Sequence, residues 1–351
     1  MGMALQYIYA LLAFSLIIIV HELGHFILAK INKVHVEEFF VGIGPKLLKF
    51  KSKSGTLWGL SAIPVGGYNK ISGMNREEEV PAGREDKVFY KKPYWSKISI
   101  IVGGAFFNIL FAFLLIFIFF SMGMYSATNK VDFIKEGSPA YVSGIQVYDE
   151  VIKIKDTEIR NWEEFSENIK KYPGENVSLQ IIRDNELIEI KVMLGEKEGE
   201  GYLGISPSVE KQIPGFFKAI KESFKFIGDF FISYFKLLGM LFTGQLGFEQ
   251  ARPVSPIGLV SIFQQSASIG SQYFIMIIAL VSLLLGFSNI IPLLPLDGGH
   301  IVVLTIEAIR RKPLSRKAVN IYNSIGIVIF ISLFLVGIVF DILKPINIMN
   351  M

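Results

Sequence analysis

The residues best suited to chemistry are the histidines and the glutamate of His21-Glu22-Leu23-Gly24-His25. Residues at positions i and i+4 lie on one face of a helix, so both imidazoles can reach one metal ion. The glutamate beside them can take a proton from a water that zinc has made more acidic. The H-E-x-x-H spacing therefore predicts a zinc site that hydrolyses a bond.

A catalytic zinc takes three protein ligands and keeps one position open for water. The chain has no cysteine and only four histidines, and His35 is expected to be a surface residue. Asp297 is the only carboxylate in or beside the third long apolar run, within a segment that two prolines and two glycines interrupt. His300, three residues later, is the alternative third ligand. Asn289 could donate to a substrate or an oxyanion, or make a hydrogen bond between helices.

Long apolar runs must position these residues, because 51% of the chain is hydrophobic. A helix of each run is long enough to cross roughly 30 Å of hydrocarbon. We therefore expect a mainly α membrane protein with four transmembrane helices. The first run has no basic segment before it, so a cleaved signal peptide is not expected. The runs are residues 3–20, 98–122, 273–296 and 321–343.

The charges predict the orientation of these helices. Residues 29–97 carry thirteen Lys or Arg, and residues 306–320 add five more. Residues 127–210 are net acidic. Since basic segments stay in the cytoplasm, we expect the acidic segment and both termini to lie outside the cell membrane.

The sequence predicts four regions. The regions are 1–122, with helices one and two and a β-hairpin containing Val36–Phe40 and Leu57–Ile71; 127–208, a small α+β domain; 215–243, an amphipathic helix; and 270–343, with helices three and four. The third region is predicted to be an amphipathic helix because its apolar side chains recur at helical spacing with interleaved lysines. We expect that helix to lie on the outer membrane surface or to pack against the small domain or the bundle.

Several further motifs accompany HELGH at 21–25 and the Leu296–His300 block. They are Gly42-Ile43-Gly44-Pro45, Ile63–Tyr68, Gly104–Asn108, Gly137–Ala140, Gly201–Ile205 and Pro253–Ile262. Together these motifs resemble the site-2 protease family of intramembrane zinc metalloproteases, in particular the bacterial regulator-of-sigma-factor proteases with one PDZ domain, to which Gly137–Ala140 and Gly201–Ile205 correspond. The resemblance extends over nearly the whole chain.

The resemblance implies that His21, His25 and Asp297 bind Zn²⁺, and that Glu22 is the general base. It also implies that Asn289 and Pro292 contact the substrate or support the active site. The family pattern has a proline where this chain has Leu294, although the spacing from Asn289 to Asp297 is kept.

The resemblance further implies a bacterial inner-membrane enzyme that cuts single transmembrane segments, such as those of pre-trimmed anti-sigma factors or remnant signal peptides. An extended substrate would add as a strand to the 57–71 hairpin. An extracytoplasmic PDZ-like domain would exclude bulky substrates or bind a carboxyl terminus through Tyr202–Ile205. The lipid bilayer is the expected surrounding, and no nucleic-acid partner is expected.

Two other classes of function fit some of these features. A non-catalytic scaffold would use its PDZ-like domain to recruit partners and zinc to join two helices, with His300 as a fourth ligand. A metal transporter would need ionisable residues in several spans, but spans two and four are nearly free of them.

Overall fold

The computed structural model describes residues 3–75, 80, 83–247 and 252–348. Parts of the predicted first region, residues 1–2, 76–79 and 81–82, lie outside this set. The chain divides into a helical unit, Met1–Ser121 with Phe216–Met351, and a small unit, Met122–Gly215. This division is close to the predicted regions, whose limits stay predictions.

The helical unit contains seven α-helices, one short 3-10 helix (Phe89–Lys91) and one β-hairpin among its described residues. In chain order the α-helices and strands are α1 (Met3–Ile31), β1 (Val36–Lys51), β2 (Leu57–Ile71), α2 (Tyr94–Ser121), α5 (Phe216–Phe242), α6 (Pro256–Ile269), α7 (Ser271–Asn289), α8 (Asp297–Arg310) and α9 (Arg316–Leu343).

Four of these helices are long and apolar enough to cross a membrane: α1 from Leu5, α2, α7 and α9. They correspond to the four predicted apolar runs. The third run extends to residue 296, but α7 ends at Asn289. Pro292 and Pro295 follow and cannot donate helical backbone hydrogen bonds, so the chain turns there instead. The helix α6 was not predicted; it begins at Pro256 behind the N-cap Ser255, whose side chain accepts from the amides of Ile257 and Gly258.

The predicted amphipathic helix is α5, and it packs on the bundle. One row of its apolar side chains, including Ala219, Phe226 and Tyr234, joins a buried cluster with Phe120 of α2 and Phe287 of α7. Tyr234 also shares a 2.8 Å hydrogen bond with Ser288. Of the alternatives for this helix, these contacts support packing against the bundle.

The hairpin of β1 and β2 folds back on itself. Phe40 in β1 pairs with Tyr68 on one side and with Gly59 on the other, so the start of β1 lies between the two halves of β2. Lys51 pairs with Leu57 farther along. The segment 67–71 is therefore at an edge, and among the described residues no other strand pairs with its free side.

The small unit is a mixed α+β fold with its own core. A central antiparallel sheet has the order β10-β3-β4-β6-β7, which leaves β10 at an edge. Phe165 and Ile169 of α4 pack on Leu179 and Ile181 of the sheet. Its elements are β3 (Met124–Ile134), α3 (Pro139–Val142), β4 (Glu150–Ile154), β5 (Thr157–Glu158), α4 (Trp162–Lys170), β6 (Asn176–Arg183), β7 (Glu186–Met193), β8 (Gly195–Lys197), β9 (Glu200–Tyr202) and β10 (Ile205–Gln212).

His35 is buried, with 6% of its surface exposed, so the prediction of a surface residue was wrong. Its backbone amide donates to Lys87, and its carbonyl accepts from Ser72. These bonds hold it between the strand β1 and the chain that leads to α2. A polar sequence neighbourhood could not reveal this burial, since the residues that bond to His35 are distant from it in the chain.

The burial of His35 predicts a pH-dependent stability. Burial lowers the pKa of His35, and the charges of Arg84 and Lys30 lower it further. The unfolded chain therefore binds a proton more readily than the folded chain, so folding stability should decrease as pH falls through the ordinary histidine pKa of about 6.5. His35→Gln cannot gain this charge. Thermal unfolding of the two proteins between about pH 8 and 5 should show a larger loss of melting temperature for the parent; parallel curves would contradict the prediction.

Candidate metal centre and active site

The α1 helix brings His21 and His25 to one point. They are four residues apart, each is only 8% exposed, and their Nε2 atoms lie 3.1 Å from each other. The rings meet edge to face, with centroids 4.7 Å apart. Spacing alone predicted this shared face.

Asp297, the first residue of α8, is the third member of the group. Its Oδ2 lies 3.3 Å from Nε2 of His21 and 3.4 Å from Nε2 of His25. The turn before it is tightly folded on the start of α8. A Cβ atom on Gly298 would lie 2.2 Å from the carbonyl oxygen of Ile290, and one on Gly299 would lie 2.3 Å from the amide of Leu294. Both glycines are therefore needed to place Asp297.

The three ligand atoms fit a metal ion. Among the described residues they are the one group of potential metal ligands within 4.8 Å of one another. Tetrahedral zinc with bonds of about 2.0–2.1 Å separates its ligand atoms by roughly 3.3–3.4 Å, close to the spacing of this triangle. The Oδ2 atom of Asp297 is buried with no well-directed hydrogen bond. Two imidazole lone pairs and a carboxylate oxygen would repel each other unless a cation lay between them.

The other ring nitrogens fix how the imidazoles point. Nδ1 of His25 donates to the carbonyl of Ile100 over 2.9 Å, so its Nε2 carries the free lone pair. Nδ1 of His21 lies 3.4 Å from the amide of Asn108, and the amide oxygen of Asn108 has no partner among the described residues. Amide nitrogen and oxygen are assigned by their surroundings. Turning the Asn108 amide over lets its oxygen accept from Nδ1–H of His21, which leaves the lone pair of His21 on Nε2.

Glycines let α2 form the floor of the centre. A Cβ atom on Gly24 would lie 2.2 Å from the carbonyl oxygen of Gly103, so the two helices touch backbone to backbone there. A Cβ atom on Gly104 would lie 2.5 Å from Nε2 of His25 and from Cε1 of His21. The imidazoles occupy the space that a side chain at position 104 would fill.

Glu22 lies beside the metal centre and contacts the hairpin. The side-chain amide of Asn69 in β2 donates to Oε2 of Glu22 over 2.6 Å and to the backbone oxygen of Glu22 over 3.1 Å. Sequence reasoning missed both asparagines, 69 and 108. Their roles depend on which segments pack together, although Asn108 ends a motif that had been singled out.

Three other predicted or alternative residues make different contacts. Asn289 ends α7 and donates to the carbonyl of Leu285, one turn earlier in its own helix. The carbonyl of Pro292 accepts from Tyr322 of α9. His300 lies outside the three-residue group and lines a separate cavity with Lys97 and Glu307. Burial lowers the pKa of His300. This geometry favours Asp297 as the third ligand.

Gly104 provides a test of the floor. Gly104→Ala should push both imidazoles out of position and weaken zinc binding by about tenfold or more, measured by competition with a chelator. Gly228→Ala in α5 is the control, because a Cβ atom there meets nothing within 4 Å. Equal zinc affinity in both variants would contradict this account of the centre.

Comparisons with known proteins agree with the geometry. The model for Peptidase family M50 matches residues 9–333. A Clostridium acetobutylicum protein described as "Putative zinc metalloprotease" is 32% identical, over 96% of this chain and 97% of its own. Zinc metalloprotease RasP of Shouchella clausii is 26% identical, over 92% and 95%. A PDZ domain of an SdrC-like protein from Listeria monocytogenes matches 23% of the chain and 87% of its own at 19% identity, with a TM-score of 0.21. This chain belongs to Peptidase family M50, the site-2 proteases, and is a zinc metalloprotease.

Proposed function

We propose that this protein is an endopeptidase that cuts membrane-spanning segments inside the bilayer, with zinc held by His21, His25 and Asp297. The observation that carries the proposal is the three-atom group at the end of an apolar helix, with Glu22 beside it. Three ligands leave one position open, as catalytic zinc sites require, whereas structural sites are closed by four. No fourth Cys, His, Asp or Glu joins the group within the described chain.

Each part of the site has a role in peptide hydrolysis. When bound, zinc supplies a Lewis acid that activates water and polarises the scissile carbonyl. Glu22 is the general base: its carboxylate takes a proton from the attacking water and can return it to the leaving amine. Nδ1 of His25 and the Ile100 carbonyl hold one imidazole still, and Asn108 holds the other. Asn289 and Pro292 would contact the substrate or support the turn before Asp297.

The edge of the hairpin is the proposed place for the substrate. A transmembrane helix keeps its carbonyls in its own hydrogen bonds, so it must unwind before it is cut. The free edge at 67–71 can bond to such an extended segment by strand addition. Because Asn69 contacts Glu22, this edge runs directly past the base. A strand added there would carry its peptide bonds next to the metal centre.

The surface of the hairpin suits contact with lipid. The side chains of Ile43, Leu47, Leu48, Phe50 and Ile63 are all more than half exposed. A soluble surface seldom carries so many neighbouring apolar groups. We infer that this hairpin dips into the bilayer of the bacterial inner membrane from the cytoplasmic side, the side that the positive-inside rule predicts for basic segments. The termini and the small unit then lie outside.

The small unit is proposed to select substrates. A cavity of about 310 Å³ lies between α4 and the Tyr202–Ile205 segment, next to the free edge of β10. A strand edge beside a pocket suits the extended end of a polypeptide, which favours binding of a carboxyl terminus over a mere spacer. The substrates would be membrane proteins with one spanning segment, such as pre-trimmed anti-sigma factors or remnant signal peptides.

The structure gives less support to the other two classes of function, a non-catalytic scaffold and a metal transporter. A scaffold with a structural zinc would need a fourth ligand, and His300 is not in the group. A transporter would need ionisable groups along a path. Asp341 of α9 is buried, but it is bound by Arg252 and by the amide of Ser255, at the start of α6. It therefore links the end of α9 to α6.

Replacing the base is the test of this function. Glu22→Gln should lower cleavage of a model single-span substrate in detergent by at least about a hundredfold, since general-base catalysis contributes on this scale. Its zinc content should stay at the parent level, because Glu22 is not a ligand. Glu186→Gln, on the exposed edge of the small unit, is the control with the same chemical change. A Glu22→Gln protein that cuts as fast as the parent would refute the proposed mechanism.

A further inference from the structure

We propose that Asn69 is a positioning residue: its side-chain amide fixes the carboxylate of Glu22 and ties it to the strand that receives the substrate. This inference rests on the proposed function, because it requires Glu22 to be the base. It adds a residue from outside the H-E-x-x-H motif, and it explains how the substrate-binding edge and the catalytic group stay in register.

The geometry assigns the amide nitrogen of Asn69 to Glu22. One atom, Nδ2, lies 2.6 Å from Oε2 and 3.1 Å from the backbone oxygen of Glu22. Both partners are acceptors when the carboxylate is ionised, so the donor end of the amide must face them. A hydrogen bond to a carboxylate is also shorter and stronger than one between neutral groups. The two bonds together restrict rotation of a side chain that would otherwise sample several rotamers.

The strand β2 follows α1 past the active centre. A Cβ atom on Gly66 would lie 3.5 Å from Ile18, Asn69 bonds to Glu22, and Ile71 packs in one cluster with Ala29. The strand therefore runs beside the helix in the same chain direction. Asn69 is the residue of this strand that meets the base, and its position determines where an added substrate lies relative to Glu22.

The side of this strand that no described strand pairs with connects the contact between Asn69 and Glu22 to substrate binding. In β1 the backbone partner of Asn69 is Phe39, so one side of its strand is already occupied. A substrate strand must add on the other side, next to the residue whose side chain bonds to Glu22. A misplacement of about 1 Å in a reacting group can reduce rate a hundredfold. Because Asn69 belongs to the strand that would receive the substrate and also bonds to Glu22, it limits such a misplacement.

The alternative is that the amide only fastens the hairpin to α1. That role would lower stability, zinc affinity or substrate affinity when lost. Positioning would instead lower kcat and leave KM and zinc binding intact. Asn32, which directly follows the last residue of α1, offers a matched control: its amide donates to the Leu28 carbonyl over 2.8 Å and to Ser99 over 3.0 Å, away from the metal centre.

The experiment compares Asn69→Leu, Asn69→Asp and Asn32→Leu in the full-length protein, with a single-span peptide substrate. Asn69→Leu should reduce kcat by about ten- to a hundredfold, with KM, zinc affinity and melting temperature within the range set by Asn32→Leu. Asn69→Asp should lose at least as much, because it places two carboxylates together. If Asn69→Leu does not fold, Asn69→Asp has nearly the native shape and carries the test. In the Glu22→Gln background, Asn69→Leu should lower the remaining turnover by less than about twofold.

Each contrary result has a separate meaning. Parent-level kcat in both Asn69 variants, with Glu22→Gln inactive, would overturn the positioning role and leave the proposed function standing. A loss that appears only in KM or zinc affinity, or that is equally large in the Glu22→Gln background, would also overturn it. A fully active Glu22→Gln protein would remove the proposed function and this inference together.

Discussion

The convergence of two imidazole nitrogens and one carboxylate oxygen on a single point is the constraint on which the rest of the helical unit depends. Such a group is electrostatically unfavourable in an apolar surrounding unless a cation joins it. Much of the nearby sequence serves this arrangement. Gly103 lets α2 touch the backbone of α1, and Gly104 gives the imidazole rings room. Glycines at 298 and 299 allow the tight turn before Asp297, and a backbone carbonyl and Asn108 set the ring orientation.

The proposed cleavage inside a bilayer adds a second constraint, because a substrate peptide must find hydrogen-bond partners there before it can be cut. Lipid offers none, so the protein must supply them, and a strand edge can do so. The hairpin presents such an edge at 67–71, and its fold brings Asn69 to Glu22. The site is thus built from two kinds of backbone. Helices position the proposed metal ligands, and an edge strand lies next to Glu22, the proposed base.

The sequence alone predicted that His21 and His25 share a helix face beside Glu22, because helix periodicity is local and the chemistry of the pattern is specific. Asp297 could be narrowed to a choice against His300 by local helix breaking, and family resemblance decided between them. The four apolar helices could be predicted because hydropathy acts over one continuous segment. The helix α6, the burial of His35 and the contacts of Asn69 and Asn108 could not, since each depends on segments that meet only in the folded chain.

The most direct test of the central claim is the zinc affinity of Asp297→Asn beside that of His300→Gln. The three-ligand account predicts that Asp297→Asn loses zinc to a chelator far more readily than the parent, and that His300→Gln keeps parent affinity. Parent-level affinity in Asp297→Asn, with zinc lost from His300→Gln, would contradict it and assign the third ligand to His300.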